Sequence, residues 1–362
     1  MEMSKKISVK IGQTEVGKIN ENDVQTISQL TNITKNAEYK EIIINCFVNE
    51  INIVNLNDDK KETVSEDLYL AISSEENNCK QLANYLQNRT ILLENFIGRK
   101  FNIEEINNQI GITSKKTATK FFKYNWSSSP TMGQGEIYLS TIFKDGRKPI
   151  PGQEKGDIKI GNTIVECKGT NGRLSGQHGY GTARDMRGSF SKMIEWIAIE
   201  AGLLDYKVLD TGEETFWSIA KNQKRGIEKN LMNIVELREK EFTREFRSII
   251  SLKIVEAWKR GYLLDIKVND YKDFFTDTIR NDGSIDKHAF CLATLEMMFL
   301  YYHEMEKFNY LAMVNTKSGN VLIIEPKDFM DYVRAGKILL TGTPSFTDRA
   351  GNQGGVCGIS IK

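Results

Sequence analysis

An excess of charge of either sign is missing from this chain. Its 49 Lys and Arg stand against 48 Asp and Glu, a net charge of +1. Composition therefore announces no nucleic-acid partner, and any basic surface must be local. Histidine is scarce, at 3 in 362 residues. The five cysteines, Cys46, Cys79, Cys167, Cys291 and Cys357, are odd in number and scattered, with no Cys-x-x-Cys pair. This argues against a zinc knuckle or a disulfide framework and fits reduced thiols in a cytosolic setting. No apolar run is long enough to span a bilayer. The longest, Phe290–Tyr302, is broken by Glu296 and falls short of the ~20 residues a span needs, so it reads as a buried helix. The N-terminal Met-Glu-Met-Ser-Lys-Lys lacks the apolar stretch of a signal peptide, and a cytoplasmic protein without a membrane partner is the expectation. Also missing are a Walker loop, Gly-x-Gly-x-x-Gly, Gly-x-Ser-x-Gly and His-Glu-x-x-His, which argues against the enzyme classes those motifs mark. There is no internal repeat and no low-complexity tract.

What is present begins with Gly156–Gly169. Two β-prone runs, Asp157–Ile160 and Thr163–Lys168, flank Gly161-Asn162. Gly at the first central position suits a type II′ two-residue turn. That turn sets Ile160 opposite Thr163, Lys159 opposite Ile164, Ile158 opposite Val165 and Asp157 opposite Glu166. Side chains alternate along a strand. Ile158, Ile160, Thr163, Val165 and Cys167 then share an apolar face, and Asp157, Lys159, Ile164, Glu166 and Lys168 share the other. Directly opposed carboxylates lie roughly 5 Å apart and repel. A hard divalent cation such as Mg²⁺, which needs only one or two carboxylates beside substrate phosphate, would relieve them. Lys168 points the same way. The plain alternative is a solvated hairpin face that happens to carry charges.

An acid on one strand, then Glu-x-Lys on the next, resembles the signature of the PD-(D/E)XK nuclease superfamily. Asp157, Glu166 and Lys168 match it, with Gly156 in place of the pattern's Pro. The resemblance implies an α/β fold, with a restriction-endonuclease-like mixed sheet flanked by helices. It implies a Mg²⁺-dependent DNA endonuclease, with Mn²⁺ as a substitute ion. Asp157 and Glu166 would be metal ligands, and Lys168 would orient or activate water. In that family a helix before the hairpin often contributes another acid, and Glu136, in the first turn of a short amphipathic helix, is the candidate. A homodimer is an open expectation. So is a catalytically silent relative that binds DNA or builds a virion.

The loop after Lys168 is rich in glycine, which permits close approach of backbone to phosphate. Arg173, Gln177, His178 and Arg184 are its candidate nucleic-acid contacts. Thr182–Ala201 reads as a core helix through Met186, Phe190, Met193, Ile194 and Ile197.

The chain divides on paper into a mostly helical N-terminal domain, 1–125, and a nuclease-like domain, 131–362, with a helical insertion at about 206–306. Trp126-Ser-Ser-Ser-Pro130 is the expected linker. In the first part Ile7–Ile11 alternates as a strand. Glu21–Leu30, Lys40–Asn49 and Leu68–Ile97 read as helices, the last with Leu70, Leu82, Tyr85, Leu86 and Leu92 as core. Asn102–Phe122 has the outline of a DNA-binding helix-turn-helix, with Gly111 at the turn, although Thr117 and Lys120 stand where apolar groups usually pack. Toward the C-terminus, Tyr310–Val314 and Val321–Glu325 read as a second hairpin that resumes the sheet. Pro326–Ala335 reads as a helix, and Ile338–Leu340 and Val356–Ile361 as closing strands.

Overall fold

The computed structural model describes residues 6–11, 14–20, 37–46, 76–113, 119, 121–123, 133, 135–150, 153–170, 172–174, 243–262, 266–281, 286–341 and 357–362. The expected linker, the helices at Glu21–Leu30 and Thr182–Ala201, and Gln177, His178 and Arg184 lie outside the described residues.

The first elements follow from apolar periodicity. Strands β1 (Lys6–Ile11) and β2 (Thr14–Asn20) form an antiparallel pair. Helix α1 (37–46) buries Ile43 and Cys46. Helix α2 (Glu76–Gln87) buries Cys79, Leu82, Ala83 and Leu86, a stripe at helical spacing. The helix expected to run on to Ile97 stops at Gln87. Leu92 is therefore not core: it is extended and 44% exposed, while Ile91 and Leu93 on either side of it point inward.

Strand β3 (Lys100–Asn102) leads directly into helix α3 (Ile103–Ile110). The Asn102 side chain accepts from the Glu104 N–H at 3.0 Å, and Gly111 closes the helix at φ 80°, a left-handed C-terminal cap. Ile103, Ile106 and Ile110 are buried as the pattern expects. Most of the second half of the expected helix-turn-helix lies outside the described residues. Its end, Phe121 and Phe122, is buried edge-on against Tyr138.

Helix α4 (Glu136–Ile142), strand β4 (Gly146–Arg147), strand β5 (Ile158–Ile160) and strand β6 (Thr163–Lys168) follow. The short helix is not amphipathic: every residue from Ile137 to Ile142 is buried. Its polar Ser140 and Thr141 hydroxyls donate back to the carbonyls of Ile137 at 3.0 and 2.6 Å. Strand β7 (Gly172–Leu174) stands where only a loop was expected.

Helices α5 (Arg244–Tyr262) and α6 (Lys287–Glu306) lie in the expected insertion. In α6, Phe290, Leu295, Met297, Met298, Phe299, Tyr301 and Tyr302 are all buried, as the apolar run implied. No helix among the described residues is long and apolar enough to cross a membrane. Strands β8 (Tyr310–Asn315) and β9 (Asn320–Ile324), helix α7 (Phe329–Arg334), and strands β10 (Ile338–Leu340) and β11 (Cys357–Ile361) complete the chain.

The architecture is mixed α/β. A six-stranded sheet runs β3-β9-β8-β6-β5-β4. Strands β6 and β8 pair parallel, with Glu166 beside Leu311 and Lys168 beside Met313, and the other pairs are antiparallel. The sheet therefore resumes at Tyr310 as expected. The β6–β8 pair is tied at both ends. Asn309 exchanges two 2.8 Å hydrogen bonds with the Ile164 backbone, and the Thr316 N–H donates to Thr170 Oγ1 at 3.1 Å. Leu311–Val314 and Val321–Ile324 are wholly buried, the signature of strands covered on both faces. The closing strands β10 and β11 do not join this sheet. They form a three-stranded one, β10-β11-β7.

Two compact units result. One comprises Met1–Thr170, Lys307–Phe329 and Ile361–Lys362, the other Asn171–Glu306 and Met330–Ser360. This division differs from the one drawn at residues 125–131. A single core holds Leu82, Ile106 and Phe121 together with Ile137, Val165 and Ala312. Strand β3, from the N-terminal part, is an edge of the main sheet.

Gly135, with φ 86°, admits no side chain: a Cβ there would lie 2.9 Å from Val314 Cγ1. Gly161, with φ 58°, has nothing within 4 Å. Gly135→Ala should cost roughly 1–3 kcal/mol and Gly161→Ala about 1 kcal/mol, measured by urea unfolding. Equal costs would show that the approach to Val314 is not limiting.

Candidate functional site

The hairpin register is the one the turn implies: Ile158 pairs with Val165, Lys159 with Ile164 and Ile160 with Thr163. Gly161 carries a positive φ and Asn162 does not, which fits type II′ rather than I′. Ile158, Val165 and Cys167 enter the core as expected. On the other face Glu166 is only 4% exposed, while Asp157, Lys159, Ile164 and Lys168 are half-buried, so the face is not the fully solvated one of a charge-decorated surface hairpin.

Asp157 departs from the expected cross-strand pair. Gly156 takes φ 78° and turns the chain before the strand begins. A Cβ at Gly156 would sit 2.3 Å from Ile164 Cγ2, so the position has no room for a side chain. Asp157 then donates its N–H to Val165 O at 3.2 Å and accepts the Cys167 N–H on Oδ2 at 2.9 Å. Its carboxylate caps the edge of β6 instead of standing opposite Glu166. It remains near enough to act electrostatically on Lys168, Lys148 and Glu136. Lys168 Nζ lies 2.7 Å from Glu166 Oε1. The three residues picked out by the motif therefore gather at the C-terminal end of β6.

Two further charges complete the group. Glu136, in the first turn of α4, lies 2.7 Å from Lys148 Nζ. Lys148 also donates to the backbone carbonyl of Asp157. Both side chains are 13% exposed. Room for Glu136 comes from Gly133, where a Cβ would fall 2.3 Å from Glu136 Oε1. The far end of the helix is held by Arg89, which donates to the carbonyls of Ser140, Phe143 and Gly146 at 3.2, 3.1 and 2.7 Å. A cation on the last carbonyls complements the helix dipole. Neither Lys148 nor Arg89 carries a motif signal in the sequence. The only hint for Lys148 is its place in the loop feeding the hairpin.

Burial drives the electrostatics. It pushes the Glu136 carboxyl up, and the Asp157 charge adds to this against the pull of Lys148. For Lys148 and Lys168, burial works to lower the pKa. The carboxylates outweigh it, Glu136 and Asp157 for Lys148 and Glu166 and Asp157 for Lys168, so both stay above the ordinary lysine value. Burial, with Glu136 and Asp157 beside it, also pushes the Cys167 thiol well up, which removes it as a thiolate nucleophile at neutral pH.

Asp157 and Glu166 supply hard oxygen donors of the kind Mg²⁺ takes, and Mg²⁺ completes its shell with water and phosphate. The donor chemistry fits that ion. Glu136 is bound by Lys148 at 2.7 Å, as Glu166 is by Lys168. Among the described residues no group of three or more His, Cys, Asp or Glu is gathered around a point where an ion could sit. Of the expected nucleic-acid contacts, Arg173 lies on β7 opposite Gly358, in the other compact unit. No family model, no curated protein and no solved structure matches the chain.

The loop that delivers Lys148 is closed by Arg147 on Glu154, with contacts of 2.6 and 2.5 Å. Glu154 also accepts the Ile150 N–H at 2.7 Å. Arg147 holds the Glu154 carboxyl down at about 2, from an ordinary 4.5. A depressed folded-state value stabilises above the unfolded pKa and is lost as pH falls through the folded one. The contribution should thus be whole above pH 4.5 and gone near pH 2. These side chains are 30% and 23% exposed, so solvent screening limits the pair to roughly 0.2–1 kcal/mol. Carboxylate NMR titration should show the low Glu154 midpoint, and Arg147→Met should return it toward the ordinary value.

Proposed function

We propose that this protein is a metal-dependent phosphodiester hydrolase that cuts DNA, built on a restriction-endonuclease-like core. The observation that carries the reading is the convergence of Asp157, Glu166 and Lys168 at the C-terminal end of β6. That strand has an antiparallel neighbour on one side and a parallel one on the other. Open α/β sheets bind ligands beyond the carboxyl ends of such strands, where the strand order changes direction. The order of elements supports it too: an acid-bearing helix precedes the hairpin, and a parallel strand follows after a helical insertion.

Asp157 and Glu166 would hold Mg²⁺ or Mn²⁺. Such an ion neutralises charge on a phosphate and lowers the pKa of its water. Glu166 and Asp157 hold the Lys168 pKa up against burial, and an ion on those two carboxylates would weaken that pull. Lys168 would hold or deprotonate the attacking water and offset the charge that develops there. A second reading has its own support. Lys168 is tied to Glu166 at 2.7 Å, a pairing that suits a nuclease-like protein that binds DNA without turnover.

Supercoiled, linear, single-stranded and branched DNA, each with Mg²⁺ and with EDTA, separates the two. Cleavage that needs Mg²⁺ and falls by about 10²–10⁴-fold in Lys168→Ala supports the first reading. Undiminished nicking by a folded Lys168→Ala variant overturns it. Salt-sensitive binding with no cleavage of any form favours the second.

A further inference from the structure

Asp157 can serve the site only if its carboxylate is kept on β6, and it precedes the regular β5–β6 pairing, which begins at Ile158. Its N–H reaches Val165 O at 3.2 Å, and two further contacts hold the residue. Its Oδ2 takes the Cys167 N–H at 2.9 Å, and its carbonyl takes a hydrogen bond from Lys148. The same ammonium lies 2.7 Å from Glu136 Oε2. Lys148 thus joins the first turn of α4 to the entry of the hairpin. It also stands with Glu136 and Asp157, whose like charges act on each other. Without it the two carboxylates would repel, and the carbonyl that sets where Asp157 hangs would lose its donor.

We propose that Lys148 is a positioning residue of this site, a second ammonium that fixes the Asp157 carboxylate against β6 through its backbone carbonyl while neutralising Glu136. It acts through Asp157 and Glu136 and touches no reacting atom. Its relevance to cleavage rests on the function proposed above, but the positioning itself does not. The Cys167 amide, bonded to Asp157 Oδ2, reports it directly. The carbonyl contact and the ion pair make separate demands, which different substitutions meet separately. Arginine keeps the cation and the donor, glutamine keeps only a donor, and methionine keeps neither.

The experiment is amide hydrogen exchange resolved at Cys167 in the full chain, with Asp157→Asn as the reference for a weakened bond. Lys148→Met should speed exchange at Cys167 by about tenfold or more while the paired Ile158 and Val165 amides keep their protection. Lys148→Arg should restore protection. Lys148→Gln, which keeps a donor but loses the charge, should fall between them and serves if the methionine variant does not fold. Unchanged exchange at Cys167 in a folded Lys148→Met or Lys148→Gln variant overturns the proposal, as does failure of arginine to rescue. Loss of protection at Cys167 in a protein that cuts no DNA would uphold the positioning role and remove the nuclease reading. Mg²⁺-dependent nicking with Cys167 exchange unmoved by the substitution would do the reverse.

Discussion

A carboxylate on an inner strand of a sheet covered on both faces has to be neutralised where it stands. Glu166 sits on β6, flanked by β5 and β8, and is almost wholly removed from solvent. Leaving such a charge unpaired costs about 3–5 kcal/mol, a large share of what holds a domain together. Lys168 answers it two residues along the same strand, at 2.7 Å. Glu136 on the buried helix α4 poses the same problem, and Lys148 answers it. Among the described residues Asp157 lies beside these two pairs, its carboxylate bonded to the Cys167 N–H. Hydrophobic residues of similar volume would have been cheaper for stability. This cost sets the group apart from the other ion pairs. Arg99–Glu105 and Arg147–Glu154, for example, are far more open to solvent.

The rest of the first unit can be understood as support for that group. Val165 and Cys167 anchor β6 in the core while Glu166 and Lys168 point the other way. Asn309 and Thr170 pin the parallel pairing to β8 at either end, where parallel strands lack a short turn to set their register. Arg89 ties down the carbonyls at the end of α4 and at β4. Arg147 and Glu154 close the intervening loop. Each contact fixes a backbone segment that bears one of the charged side chains.

Much of this was legible in the residues. The Gly161-Asn162 turn, the hairpin register, the core face of Ile158, Val165 and Cys167, the second hairpin at Tyr310–Ile324 and the buried helix at Phe290–Tyr302 all stand where pattern reading places them. Other features were not. Strand β3 has three residues, too few for alternation to show. Strand β7, within a glycine-rich stretch, has its partner in β11, far along the chain. The Leu68–Ile97 pattern does not mark the end of its helix at Gln87. The bend at Gly156 that carries Asp157 off its expected partner takes a left-handed φ where Ile164 leaves no room for a side chain, which no spacing rule contains.

The sequence by itself determined which residues alternate, which faces are apolar, and that an acid and Glu-x-Lys would lie close together across a two-residue turn. These follow from the strand period and the turn's own backbone preferences, both of which act over a few residues. Only the tertiary structure decided that β6 would be an inner strand, that Glu166 would therefore be buried, that Asp157 would cap the Cys167 amide, and that Glu136 would spend its charge on Lys148. Those outcomes depend on which distant segments pack together, and burial turns ordinary charged residues into groups that must find partners.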